Sequence, residues 1–434
     1  MSGGAEGDRA GAPCGRRDWL AAAGRLAIAS AVSPRLLVPD SLVPDDTSAA
    51  AEPSWRDEFP IAKSLAYLNN AAIHPMSRGA MRAVREYLDG RTFGAGAAHS
   101  PDPPVPVRDV KAKFAALVNA KPTEISYVPS TMVGENLVVA GLGIAAGKGN
   151  VVTDALHFEG SLYMYQSLQR DRGLDLRLVM PRDWRIDMRD LERAVDRDTK
   201  LVAISLVSFL NGFEHDLKAI CDLAHAHGAY VYADVIQGAG AIPIDVRASG
   251  VDFCACSSYK WLQGDLGIGF FYVREDLLDR VLPRTQYGHR QVTAFDYHFL
   301  PGDPPAPGGA PVTWARGTDA GAHFEVGTWS TSTIAALTHS LDFIQRTGVE
   351  RIQAHNLALA RRVRAELPRL GYAPLTPPES RSSISSFTLT NRDATARRLA
   401  KAKVDVSLEP DRMRVSPSLY NDDRDVDALL NALS

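Results

Sequence analysis

Short apolar runs alternate with longer stretches of helical periodicity along most of this chain, the pattern of a sheet whose strands are joined by helices. Residues 231–233 (Val-Tyr-Ala) form one such run, with Asp234 where the strand would end. Residues 253–257 form the next, and 125–128 (Ile-Ser-Tyr-Val) an earlier one. Between them, 217–227 reads as a helix opened by Asp216 and stopped by Gly228. Pro129-Ser130-Thr131 reads as a turn feeding a helix over 132–142. Helices are expected near 332–346 and 349–367, and a strand near 383–390. The Pro- and Gly-rich stretch 297–322 reads as a long surface or lid loop. The expected fold class is α/β: a large domain on a mostly parallel sheet, with a smaller α+β domain. The pattern divides the chain into a low-complexity tail (1–54), an N-terminal segment of the small domain (55–89), the large domain (90–322) and the C-terminal small domain (323–434).

Composition narrows the function classes. A chain of 434 residues that is 45% hydrophobic can bury a large core. A formal net charge of -3 gives no basic footprint for nucleic acid. There is no transmembrane run. Cys14, Cys221, Cys254 and Cys256 lack the spacing of a zinc site, and His225 and His227 have no acidic or cysteine partners, so no metal is expected.

The chemistry gathers around two residues. Asp234 sits at a strand end, where ligands bind at the carboxyl edge of open α/β sheets, and Lys260 follows the next strand. An amine that condenses with an aldehyde and a carboxylate that keeps a pyridine nitrogen protonated are what pyridoxal phosphate chemistry requires of a protein. Gln237 can donate to a phenolic oxygen, Ser257 is a natural phosphate ligand, and the helix after Ser130-Thr131 offers free N–H groups to an anion. Each residue alone has a bland reading as cap or solvated surface; the ordered set carries the inference.

These residues resemble the class V aminotransferase family of fold-type I pyridoxal phosphate enzymes, which includes cysteine desulfurases, isopenicillin N epimerase-like proteins and kynureninases. The resemblance runs from about Tyr67 to the C-terminus. It implies that Asp234 contacts the pyridine nitrogen, Gln237 the phenolic oxygen and Ser257 the phosphate, and that Lys260 condenses with the aldehyde. Tyr259 replaces the histidine of desulfurases, so Ser-Ser-Tyr-Lys is similar to the kynureninase version. Ser130, Thr131 and Met132 stand where the family has Gly-Thr-Thr, with Asn136 in place. Phe158 matches the residue that stacks on the ring, and neighbouring His157 is a candidate general base. Phe324-Glu325-Val326-Gly327-Thr328 resembles an element whose Thr reaches the partner subunit's phosphate, implying a homodimer. Arg414 matches the anchor of the substrate α-carboxylate. Asn70 and Ala71 lie in the substrate-side entry loop, where His74 replaces a common glycine, and Phe209 replaces an Asn near the substrate.

One departure bears on the reaction. Desulfurases take sulfur onto a cysteine shortly before the carboxylate arginine, and 404–413 contains none, which excludes persulfide transfer by that route. The expected activity is β-elimination on an S-substituted cysteine in specialised metabolism. Epimerisation, transamination and decarboxylative oxidative deamination remain open. The non-enzyme alternative, a cofactor-binding regulator or inactive homologue, is disfavoured because Lys260, Asp234 and Arg414 are all present and no helix-turn-helix pattern precedes them. The tail carries Gly15-Arg16-Arg17-Asp18-Trp19-Leu20, which resembles a twin-arginine export signal. Arg25 interrupts the apolar region behind it, so a cytoplasmic location is expected, with export as the alternative.

Overall fold

The strands follow the apolar runs. In the computed structural model, which describes residues 55–94, 105–147 and 149–434, they are β1 (Ala66–Tyr67), β2 (Ile125–Val128), β3 (Asn150–Asp154), β4 (Asp175–Val179), β5 (Thr199–Ser205), β6 (Tyr230–Asp234), β7 (Phe253–Ser257), β8 (Gly269–Val273), β9 (Val292–Tyr297), β10 (Val312–Arg316), β11 (Ser385–Thr388), β12 (Val404–Asp405), β13 (Ser407–Leu408) and β14 (Arg412–Val415). Seven of them form one sheet in the order β2-β8-β7-β6-β5-β3-β4, parallel throughout except for β8. β7 and β8 are buried along their whole length, because helices cover both faces and leave no polar side. One core holds Val202, Ile204, Val231 and Ala233; the other holds Leu201, Ala203, Tyr232 and Ala255, as strand alternation requires.

The helix Thr131–Gly141 lies very close to β7: a Cβ on Gly134 would stand 2.7 Å from the Ala255 Cβ. That approach brings the helix N-terminus up to Ser257. The other expected helices form as Leu217–Ala226, Thr331–Thr347 and Val349–Glu366.

Two expectations change. The stretch 297–322 is not a plain loop: β9 and β10 form an antiparallel hairpin, and Ala320–Phe324 is a short helix. The hairpin is mostly exposed, so its strands carry no buried face to mark them in the sequence. The boundary expected at 322/323 falls inside that short helix, whose Ala320 and Phe324 pack in the large-sheet core with Phe271. Ile334, Leu337 and Leu341 of Thr331–Thr347 also join that sheet's packing. The small domain's own core forms later, from Leu359, Val363, Phe387, Met413 and Leu429, with Leu68 brought in from the N-terminal segment. There β11, β14 and β13 make an antiparallel sheet, and β1 pairs in parallel with β12. No helix among the described residues is long and apolar enough to cross a membrane. The tail, with its twin arginines and Cys14, lies outside the described residues.

Candidate active site

The carboxyl ends of β3, β5, β6 and β7, and the turn after β2, bring the predicted residues to one edge of the sheet. After β2, Ser130 caps the helix by accepting from the Val133 N–H at 3.4 Å. The Thr131 N–H donates to the Ser257 Oγ at 2.9 Å, the Ser257 N–H donates to the Thr131 Oγ1 at 2.9 Å, and the two hydroxyls lie 3.0 Å apart. Two hydroxyls thus close over a helix N-terminus, the arrangement that receives a phosphate. The Met132 side chain contributes no donor, and its sulfur faces the Ser161 hydroxyl at 3.4 Å.

Asp234 ends β6, 4% exposed, and its Oδ1 accepts from the Ile236 N–H at 2.9 Å. Burial pushes its pKa up to about 6, against His157, that N–H and Lys260, which favour the anion. Lys260 is buried, and its amine makes no hydrogen bond or ion pair among the described residues, lying 5.8 Å from the centre of the Tyr259 ring. Burial brings its amine down to about 8, Asp234 opposes the fall and Arg414 adds to it. A buried lysine with no hydrogen-bonding partner at its amine and a weakened hold on its proton is a ready nucleophile toward an aldehyde. Gln237 is held between the Ala71 carbonyl (3.0 Å) and the Trp261 indole N–H (2.8 Å), which leaves one amide N–H to donate.

Arg414, on β14, is 7% exposed. Its Nη1 donates to the Phe209 carbonyl at 2.9 Å, while its Nε is buried without a partner. Burial, then Arg412, bring it down to about 10. Phe209 meets Phe158 edge to face at 5.6 Å, forming an aromatic wall at the ends of β3 and β5.

Five further expected site residues have other surroundings. His157, expected as a general base, is fully buried, with Nδ1 2.8 Å from the Ser205 Oγ and Nε2 3.1 Å from Glu135; both nitrogens are occupied inside the protein. Asn70 donates to the Ser416 carbonyl and accepts from the Tyr420 hydroxyl, and the Ala71 N–H donates to the Ser416 Oγ, so the two bind the entry loop to residues 416–421. His74 is buried against Phe59, Trp261 and Tyr420, and its ring nitrogens meet the Pro75 carbonyl and the Ser418 hydroxyl. The side-chain polar atoms of Asn70 and His74 are thus taken up within the protein. Thr328 is exposed and lines an opening of about 240 Å³ with Tyr127, Gly267 and Trp329. Sequence reasoning missed Glu135; its only signal is that it is the sole charged residue in a mostly apolar helix.

A buried lysine, a buried carboxylate one strand away and a hydroxyl-lined helix N-terminus fit pyridoxal phosphate and define a fold-type I enzyme that uses it. The aminotransferase class-V profile matches residues 66–429, and the chain belongs to that family. A probable cysteine desulfurase of Methanothermobacter thermautotrophicus is 28% identical over 345 residues, covering 78% of this chain and 81% of that protein. The apo cysteine desulfurase of Thermococcus onnurineus superposes with a TM-score of 0.74 at 23% identity, over 87% of this chain and 95% of its own. A cystine C–S lyase, solved with its product cysteine persulfide, gives 0.73 at 21% identity over 86% and 98%.

Proposed function

We propose that this enzyme cleaves the C–S bond of an S-substituted cysteine by β-elimination and does not pass sulfur to a cysteine of its own. The observation that carries this reading is the make-up of 404–415: the strands that present Arg414 contain no cysteine. The cysteines among the described residues are all buried. Burial pushes Cys221 up to about 12 and Cys254 and Cys256 well above the usual thiol range, so none is a thiolate at neutral pH. The relatives include desulfurases and a C–S lyase, so the fold accommodates either outcome.

Bound pyridoxal phosphate supplies the sink for the electron pair left at the substrate Cα. The protein groups do the rest. Thr131, Ser257 and the helix N-terminus hold the phosphate, and Asp234 holds positive charge at the pyridine nitrogen. Arg414 grips the α-carboxylate through a planar fork and fixes which bond at Cα faces the ring. Lys260, once free of the cofactor, takes the Cα proton at Nζ. Phe158 and Phe209 keep water from the reacting carbon. The Cβ–S electron pair leaves with sulfur, the departing thiolate takes up the proton held on Lys260, and water hydrolyses the remaining aminoacrylate to pyruvate and ammonia. We further propose a cytoplasmic homodimer in which Thr328 serves the partner's phosphate site; sedimentation of the cofactor-loaded protein as a monomer would refute that dimer.

Mass spectrometry after incubation with S-conjugated cysteines and ordinary amino acids tests the reaction. Thiol and pyruvate in equal amounts support it. Alanine with persulfide, an inverted amino acid, or a keto acid formed without sulfur loss would each replace it.

A further inference from the structure

Helix Thr131–Gly141 carries a single charge, Glu135, and buries it completely. Its Oε1 accepts from the Tyr165 hydroxyl at 2.9 Å and meets the His157 Nε2 at 3.1 Å, and its Oε2 accepts from the Ser161 hydroxyl at 2.5 Å. A carboxylate only accepts, so the His157 Nε2 is the donor. The other ring nitrogen lies 2.8 Å from the Ser205 hydroxyl, which can also accept. Both nitrogens can therefore carry protons. Ser205 sits opposite Asp234 in the β5–β6 pairing, so the ring stands beside the strand end that bears Asp234.

We infer that Glu135 and His157 are positioning residues for Asp234: the Glu135 carboxylate holds the His157 ring as an imidazolium, and that cation keeps Asp234 ionised toward the pyridine nitrogen. The inference rests on the reading of Asp234 as the partner of that nitrogen.

The electrostatics agree with the geometry. Burial disfavours the His157 cation, yet the charge and hydrogen bond of Glu135, followed by Asp234 and Asp154, raise its pKa overall. For Asp234, burial is the largest influence and His157 the foremost one against it, while the Glu135 charge acts on Asp234 directly only in the opposite and smallest sense. The remaining titratable neighbours do not supply that charge. Tyr165 and Tyr232, Cys254 and Cys256 are all pushed far up by burial and stay neutral, and Tyr259 is raised as well. Lys260 is the other cation facing Asp234, and it is consumed when it condenses with the cofactor. His74 provides an internal control: equally buried but with neutral partners, it is pushed down to about 4.

The test is the 15N resonance of the pyridine nitrogen in protein loaded with 15N-labelled pyridoxal phosphate. Wild type should show a protonated nitrogen at neutral pH. Without the imidazolium, Asp234 becomes the better base and draws the proton to itself. His157→Gln and Glu135→Gln should therefore both move the resonance toward the unprotonated position. Glu135→Gln should recover on mild acidification, which recharges His157, and His157→Gln should not; a merely structural role produces no such contrast. Folded variants with the wild-type resonance overturn the inference. If either variant fails to fold, the 15N shifts of the His157 ring in the wild type decide: an imidazolium at neutral pH supports the proposal and a neutral ring overturns it. Asp234→Asn separates the underlying reading, for a nitrogen still protonated in that variant removes Asp234 as its partner.

Discussion

Where β5, β6 and β7 end, the buried polar side chains other than Lys260 are met by other groups of the protein. Thr131 and Ser257 bond to each other, Gln237 is held from two sides, and Asp234 takes a backbone N–H. On β14 the pattern is different: Arg414 is nearly as buried as Asp234, but it has one carbonyl partner and an Nε with none. An unmet buried donor costs on the order of 1–3 kcal/mol, a cost that an arriving carboxylate removes. The cofactor side of the site is thus built in advance, and the substrate side is left to be completed by an anion.

Several changes would break or sharpen that contrast. The largest effect is expected from Lys260→Ala, which should abolish covalent cofactor attachment. Borohydride reduction and peptide mapping of the wild type should place the pyridoxyl group on Lys260, and finding it on another lysine would overturn the site. Asp234→Ala should retain bound cofactor, because the phosphate cradle is intact, yet lose turnover by about 10³-fold or more, since a preorganised charge at the sink is gone. Near-normal turnover would refute its role.

On the other side, Arg414→Lys keeps the charge but not the fork. It should weaken binding of amino acids by about 1.5–3 kcal/mol in a spectroscopic titration while the resting absorbance stays normal. A pH effect follows from Lys260. Its amine, brought down to about 8, is protonated below that pH and is a nucleophile only when neutral. Cofactor capture by the empty protein should therefore slow by about tenfold per pH unit below about 8 and level off above it. A profile that is flat between pH 6 and 9 would contradict the lowered amine. The smallest effect on chemistry is expected from Asn70→Ala. It removes bonds to Ser416 and Tyr420 and should cost about 1–3 kcal/mol in denaturant unfolding, with substrate affinity little changed. A large loss of affinity at unchanged stability would return Asn70 to the substrate.

The sequence disclosed the two sides unequally for the same reason. Asp234, Ser257 and Lys260 stand at strand ends, where apolar runs stop abruptly, so both place and chemistry are readable from order alone. Arg414 could be recognised only through its resemblance to a family motif, because its isolation depends on what β11 and residues 209–210 bring near it. Asn70 and His74 read as pocket residues since nothing local shows that Ser416, Ser418 and Tyr420, about 350 positions later, take up their polar atoms. Glu135 was illegible as a partner of His157, because a glutamate in a helix is ordinarily solvated and the pairing is made between that helix and the turn after β3. The hairpin β9–β10 escaped because its exposed strands lack an apolar face, and the 322/323 boundary failed because Ala320 and Phe324 belong to a core assembled from distant strands.

The most direct test of the contrast is a titration of the cofactor-loaded wild type with α-amino acids and with the matching decarboxylated amines, followed by the cofactor's absorbance. If Arg414 waits for a carboxylate, the acids bind far more tightly than the amines, by the same 1.5–3 kcal/mol that Arg414→Lys removes, about 10- to 150-fold. Equal binding of acids and amines by the wild type would contradict the claim that the substrate side of this site is completed by an α-carboxylate.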